Sequence, residues 1–196
     1  MMCQNLKQAI SENRAYSFDY PRLLNNLAKV QPTVFLDVFF KGDDVGDYQR
    51  QRMFIDDFER HENPLSQIPD SALLSWCERA PSSRYPLVAS VMKAFKKSDE
   101  TGKYELKPFV YRIFDKAPVL ECVLENLADA LRPRSWSGSR ADILQRRAVL
   151  YQELYEHDNE EVRARARSQH TKLQEEIRNV REREDQRERA RDESFE

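Results

Sequence analysis

Residues 139–180 read SRADILQRRAVLYQELYEHDNEEVRARARSQHTKLQEEIRNV. In the first half Ile143, Leu144, Ala148, Leu150, Tyr151, Leu154 and Tyr155 recur at helical spacing, and the stripe ends at His157. Asp158-Asn159 interrupts it. Val162, Ala166, His170, Leu173, Ile177 and Val180 then return at intervals of three and four. A period near 3.6 predicts two amphipathic helices. A connection this short makes them an antiparallel hairpin, each burying its stripe against a neighbour.

The rest of the chain follows the same pattern. Charged residues make up 34% of the 196 and apolar ones 40%, enough for a core. There are four glycines, far below the usual ~7%, so tight turns and hairpin strands are scarce. Leu6, Ala9 and Ile10 mark a weak first helix, and Leu23, Leu24, Leu27 and Val30 a second beginning at Pro21. Val34–Phe40 fits a short helix or a buried strand, and the preceding Pro32 and helical neighbours favour the helix. The doublet Phe39-Phe40 cannot place both rings on one side of one helix. A helix is expected over 45–60, and another after Asp70 or Ser71 as cap, with Leu73, Leu74, Trp76 and Cys77 on its face. Ser83 is a candidate cap for a helix carrying Leu87, Val88, Val91, Met92 and Phe95. Residues 96–103 read as an exposed charged loop and supply the internal boundary. Pro108 and Pro118 each open a helix, the second with the cleanest stripe, Val119, Leu120, Val123, Leu124, Leu127 and Leu131. The organisation expected is a helical part over 1–97, helical repeats over 98–180 and a charged helical tail over 181–196. Opposite charges at helical spacing can prolong that tail as helix, but it has no face to bury and is expected to fray or stay solvated.

At 158–166 the string DNEEVRARA resembles the opening of the second helix in a HEAT-type repeat, through Asp158, Val162, Arg163 and Ala166. The physical logic is legible in the residues. Asp158 can accept from free N–H groups at the helix start. Val162 and Ala166 face the preceding helix, Ala166 allows close approach, and Arg163 can reach the neighbouring repeat. The resemblance covers one hairpin, residues 139–180, and no fixed period runs through the whole chain. It implies an all-α, HEAT/armadillo-like α-solenoid of antiparallel helix pairs with a charged C-terminal helical tail. The overall look also resembles C-terminal helical regions of large bacterial proteins, so the chain is expected to be a module of a larger assembly.

The loop RPRSWSGSR gathers Arg132, Arg134 and Arg140 around Trp136, with Arg146 and Arg147 close behind. Such a group suits an anion or nucleotide, with Trp136 as a stacking platform and a helix N-terminus adding donors. The competing and favoured reading is a connector whose Trp packs back on its own helices. Glu153 and His157 stand at i,i+4, but no third ligand has compatible spacing, and a solvated pair at a helix end is expected. His170 lies on the apolar stripe and His61-Glu62 has no partner histidine. Asp43, Asp44 and Asp47 lack the Ca²⁺-loop pattern. The aromatics Phe35, Phe39, Phe40, Tyr48, Phe54 and Phe58 read as core rather than as a partner groove.

No phosphate-binding, dinucleotide or nucleophile-elbow string occurs. The net charge of −2 supplies no global basic field. Three scattered cysteines, Cys3, Cys77 and Cys122, argue against zinc or a disulfide framework, and Cys77 and Cys122 read as small core residues. The N-terminal residues lack the apolar core of a signal peptide. The function expected is therefore a cytoplasmic, non-catalytic protein-interaction scaffold without cofactor or metal. The alternative is a nucleic-acid or nucleotide-binding module using residues 132–147.

Overall fold

The computed structural model describes residues 1–12, 14, 20–40, 64–98, 102–133 and 136–193. Helix dominates, with nine α-helices and two three-residue strands among the described residues, as the scarcity of glycine requires. The chain divides into two compact units, residues 1–93 with 117–119, and residues 94–116 with 120–196. The expected helix over 45–60, the acidic cluster at Asp43, Asp44 and Asp47, His61-Glu62, and the rings of Tyr48, Phe54 and Phe58 lie outside the described residues.

The first unit holds α1 (Met2–Ser11), α2 (Pro21–Val30), α3 (Pro32–Phe39), a 3-10 turn (Pro64–Gln67), α4 (Asp70–Glu78) and α5 (Pro81–Val91). Prolines open α2, α3 and α5 at the position where a missing N–H costs nothing. Residues 32–39 are helical, and both rings of the Phe39-Phe40 doublet are buried. Phe40 manages this by lying one residue past the helix end, where its ring meets Trp76 edge-on at 6.1 Å. Two expected caps are replaced. Asp70 stands inside the first turn of α4 rather than capping it, and Pro69 precedes it. Pro81 begins α5, and the Ser83 hydroxyl donates to the Ala80 carbonyl.

The second unit holds β1 (Phe95–Lys97), β2 (Tyr104–Leu106), α6 (Pro108–Lys116), α7 (Leu120–Ala130), α8 (Arg140–Gln152), a 3-10 turn (Glu153–Glu156) and α9 (Glu160–Glu193). Lys96 and Lys97, expected in an exposed loop over 96–103, belong instead to strand β1. β1 and β2 pair antiparallel, Phe95 opposite Leu106 and Lys97 opposite Tyr104. Gly102, at φ 66°, takes the left-handed conformation that closes the turn. Phe95 belongs to this hairpin and not to α5.

α8 and α9 form the antiparallel pair read from the sequence. Arg140 meets Glu184, Asp142 meets Arg181, and Tyr155 meets His170, so partners run in opposite directions along the two helices. α9 packs on α8, on the 3-10 turn and on α7. Ala141, Leu144, Ala148, Leu150, Leu154, Val162, Ala166, Leu173 and Ile177 are buried along this hairpin. Burying a residue of this size contributes about 1.5–3 kcal/mol for each large apolar side chain. No break occurs at residue 180. α9 continues unbroken to Glu193, and its Arg181 and Glu184 still touch the start of α8. No described helix is long and apolar enough to cross a membrane.

Candidate functional site

The arginine loop is built by the end of α7, the connection 131–139 and the start of α8. Arg132 donates through Nε to Glu176 at 3.1 Å and through a terminal nitrogen to Asp129 at 2.8 Å. Arg140 reaches the other oxygen of Glu176 at 2.8 Å. One carboxylate on α9 thus holds two guanidinium groups. Burial alone lowers the Arg132 pKa, but the hydrogen bond and charge of Glu176 outweigh it and the net shift is upward. Arg147 donates to the Leu131 carbonyl at 2.9 Å and lies 5.0 Å over the Phe95 ring. Arg146 is exposed, and Arg134 lies outside the described residues. Trp136 is half exposed, with the Arg140 guanidinium 5.3 Å from its ring centre.

Helix N-termini attract anions because their first N–H groups lack intrahelical acceptors. At α8 that place is filled by the chain itself. The Glu184 carboxylate accepts from the Arg140 N–H at 2.7 Å and from the Ser139 hydroxyl at 2.7 Å. Ser139 Oγ in turn accepts from the Asp142 N–H at 3.1 Å. The donors expected to serve a ligand therefore cap α8 from within. The structure brings Arg132, Arg140 and Trp136 together but turns the guanidinium groups toward α9.

The repeat-signature residues sit at the turn into α9. Val162 and Ala166 are fully buried. The cap is Asn159 rather than Asp158, since Asn159 Oδ1 accepts from the Glu161 N–H at 2.8 Å. Arg163 folds back, donating to the carbonyls of His157 at 2.6 Å and Asp158 at 2.8 Å. It ties its own turn.

Glu153 and His157 are not a solvated pair. Glu153 accepts from the Leu106 N–H at 3.1 Å and from the Tyr111 hydroxyl at 2.9 Å, fastening β2 and α6 to the 3-10 turn. Burial first, and then that bond to Glu153, push the Tyr111 pKa upward. His157 is buried, its ring parallel to Tyr111 and edge-on to Phe114. Its Nδ1 accepts from the Asn159 N–H at 3.1 Å, which puts the proton on Nε2, 3.6 Å from Asp115. His170 lies against Tyr151 and Tyr155, with Nδ1 2.5 Å from the Tyr155 hydroxyl, and burial lowers its pKa. No group of three or more His, Cys, Asp or Glu side chains able to hold a metal occurs among the described residues.

A second polar cluster, in the first unit, has no counterpart in the sequence reading. Asp37 accepts from Trp76 Nε1 at 2.9 Å and lies 3.5 Å from Arg79 and 4.0 Å from Arg84. Arg84 covers the Trp76 ring at 4.1 Å and donates to the Trp76 carbonyl at 2.7 Å. Asp37 as the lone acid in the run PTVFLDVFF was the signal. Cys77 is buried, and burial pushes its thiol up to about 12, so it is inert. Cys122 is exposed, contrary to its reading as core, because it falls on the outer side of α7. No family model, no curated protein and no solved structure matches the chain.

Proposed function

We propose that this chain is a non-catalytic protein-interaction module, cytoplasmic, working within a larger assembly, with α8 and α9 as a HEAT-like repeat. The observation that carries the reading is the inward turn of the hairpin's polar groups around a Trp136 that remains half exposed. Arg132, Arg140, Glu153, Glu176 and Glu184 hold elements to one another, while Trp136 and Val149, the large apolar side chains exposed among the described residues of the second unit, are those a protein partner buries. The charged continuation of α9 suits the polar end that a helical stack needs.

The test is affinity co-purification from cells followed by reconstitution with the purified partner. Trp136→Ala is expected to weaken that complex by about tenfold or more, as loss of an aromatic anchor does. A partner that binds Trp136→Ala as tightly as the parent removes Trp136 from the reading. The nucleic-acid alternative is checked in the same series. Glu176 already balances Arg132 and Arg140, so mixed-sequence RNA and duplex DNA are expected not to bind even at low salt. Tight, salt-sensitive binding lost in Arg146→Ala overturns the protein-module assignment.

A further inference from the structure

The two edges of the β-hairpin are not alike. Ser98 N–H donates to the Lys103 carbonyl and Lys107 N–H to the Ala94 carbonyl. Antiparallel bonding alternates, so the bonded pairs are 94/107, 96/105 and 98/103. The N–H and C=O groups of residues 95, 97, 104 and 106 then point away from the partner strand. On the β2 side, Glu153 takes the Leu106 N–H and α8 packs against the strand. On the β1 side, the outward backbone groups of Phe95 and Lys97 meet no hydrogen-bonding partner among the described residues. One edge is closed by a carboxylate and a helix, and the other meets no partner among the described residues.

Charge decides what that open edge accepts. Lys96 and Lys97 are exposed on β1, Lys96 standing 4.0 Å from Glu105 of β2, and the Arg147 guanidinium lies over the Phe95 ring. Lysines on an edge strand are a device against pairing with another copy of the same edge, which sets Lys96 and Lys97 against their own counterparts. The same lysines favour an extended segment of opposite charge. We propose that the β1 edge, Phe95–Lys97, is a docking site for an extended acidic segment of a partner protein, added as a third strand. Main-chain bonds at Phe95 and Lys97 supply the register, and Lys96 and Lys97 select the charge. This deepens the interaction-module reading and rests on it.

The probe is a synthetic heptapeptide alternating glutamate with valine and threonine, titrated into the full-length chain and followed through backbone amide resonances. Shifts centred on Phe95 and Lys97 are expected, with amide exchange at these two positions slowed by about tenfold or more. Lys97→Pro removes an outward N–H and none of the hairpin's own bonds, and is expected to weaken binding by about tenfold or more. The same peptide methylated on alternate amide nitrogens tests the main-chain bonds without altering the protein, and loses binding. A lysine-for-glutamate version of the peptide does not bind. Shifts located elsewhere, or equal affinity for Lys97→Pro and for the methylated peptide, overturn the proposal. A co-purified partner that binds Lys97→Pro as well as the parent also overturns it, yet leaves the interaction-module reading standing.

Discussion

The two halves of α9 are one continuous helix held by different forces. From Glu160 to Val180 a stripe of Val162, Ala166, Leu173 and Ile177 is buried against the second unit's core. From Asp185 to Glu193 every described side chain is exposed. Those last residues span about 13 Å at 1.5 Å per residue. Packing orders the first half, since most helical stability in proteins comes from burial of an amphipathic face. The second half relies on nucleation by the first and on charge pairs worth ~0.2–0.5 kcal/mol each, such as Arg191 with Glu188 at 3.9 Å. Between them Glu184 bonds Ser139 and Arg140 at the start of α8.

The largest effect belongs to the packed half. Leu173→Ala is expected to destabilise the second unit by about 2–5 kcal/mol in chemical denaturation, because it opens a cavity in the α8–α9 seam. A smaller value means that α9 collapses onto the gap. Glu176→Ala comes next, at about 1–3 kcal/mol, since it leaves Arg132 and Arg140 without their shared acceptor. It is also expected to raise affinity for polyanions, which a binding assay at low salt reads directly. Glu184→Ala leaves the Ser139 cap but removes the acceptor of the Arg140 N–H and the Ser139 hydroxyl, and is expected to cost about 1 kcal/mol.

The pH dependence is smaller and its sign follows from burial. The folded His170 pKa lies below the ordinary value near 6.5, so the unfolded chain takes up a proton that the folded one refuses. Stability should fall as pH drops from about 7 through 6.5 towards the folded value, and His170→Gln should flatten that slope in pH-dependent denaturation. The smallest effect is expected for deletion of 185–193. The melting midpoint should move by less than the equivalent of about 0.5 kcal/mol, while circular dichroism loses the helical signal of those residues. A large loss of stability would show that the exposed half carries packing of its own.

The helical hairpin was legible because its spacing is a local property. Intervals of three and four around Asp158-Asn159 define two stripes whatever else the chain does. The hairpin strands were not legible. Phe95 continues the apolar spacing of α5, and three-residue strands leave too few residues for a period of two. The arginine loop was found by composition, with a connector as the favoured reading, but the carboxylates that hold it were not foreseen. Glu176 and Glu184 stand 36 to 45 positions from the groups they hold, and no local pattern announces such a partner. The cap at Asn159 was one residue from the expected Asp158, and either side chain can serve chemically, so only the backbone path chooses. For Glu153 and His157 the i,i+4 spacing drew attention to the right residues. Their partners, Tyr111, Leu106 and Asp115, come from segments read separately.

Glu153 also sets an order of events during synthesis. Its carboxylate closes the β2 edge, yet it lies 47 positions after Leu106 and 42 after Tyr111. At about 5–20 residues per second the ribosome needs roughly 2–10 s to make that stretch. Throughout that interval the Leu106 N–H and the Tyr111 hydroxyl lack the acceptor that the folded chain gives them.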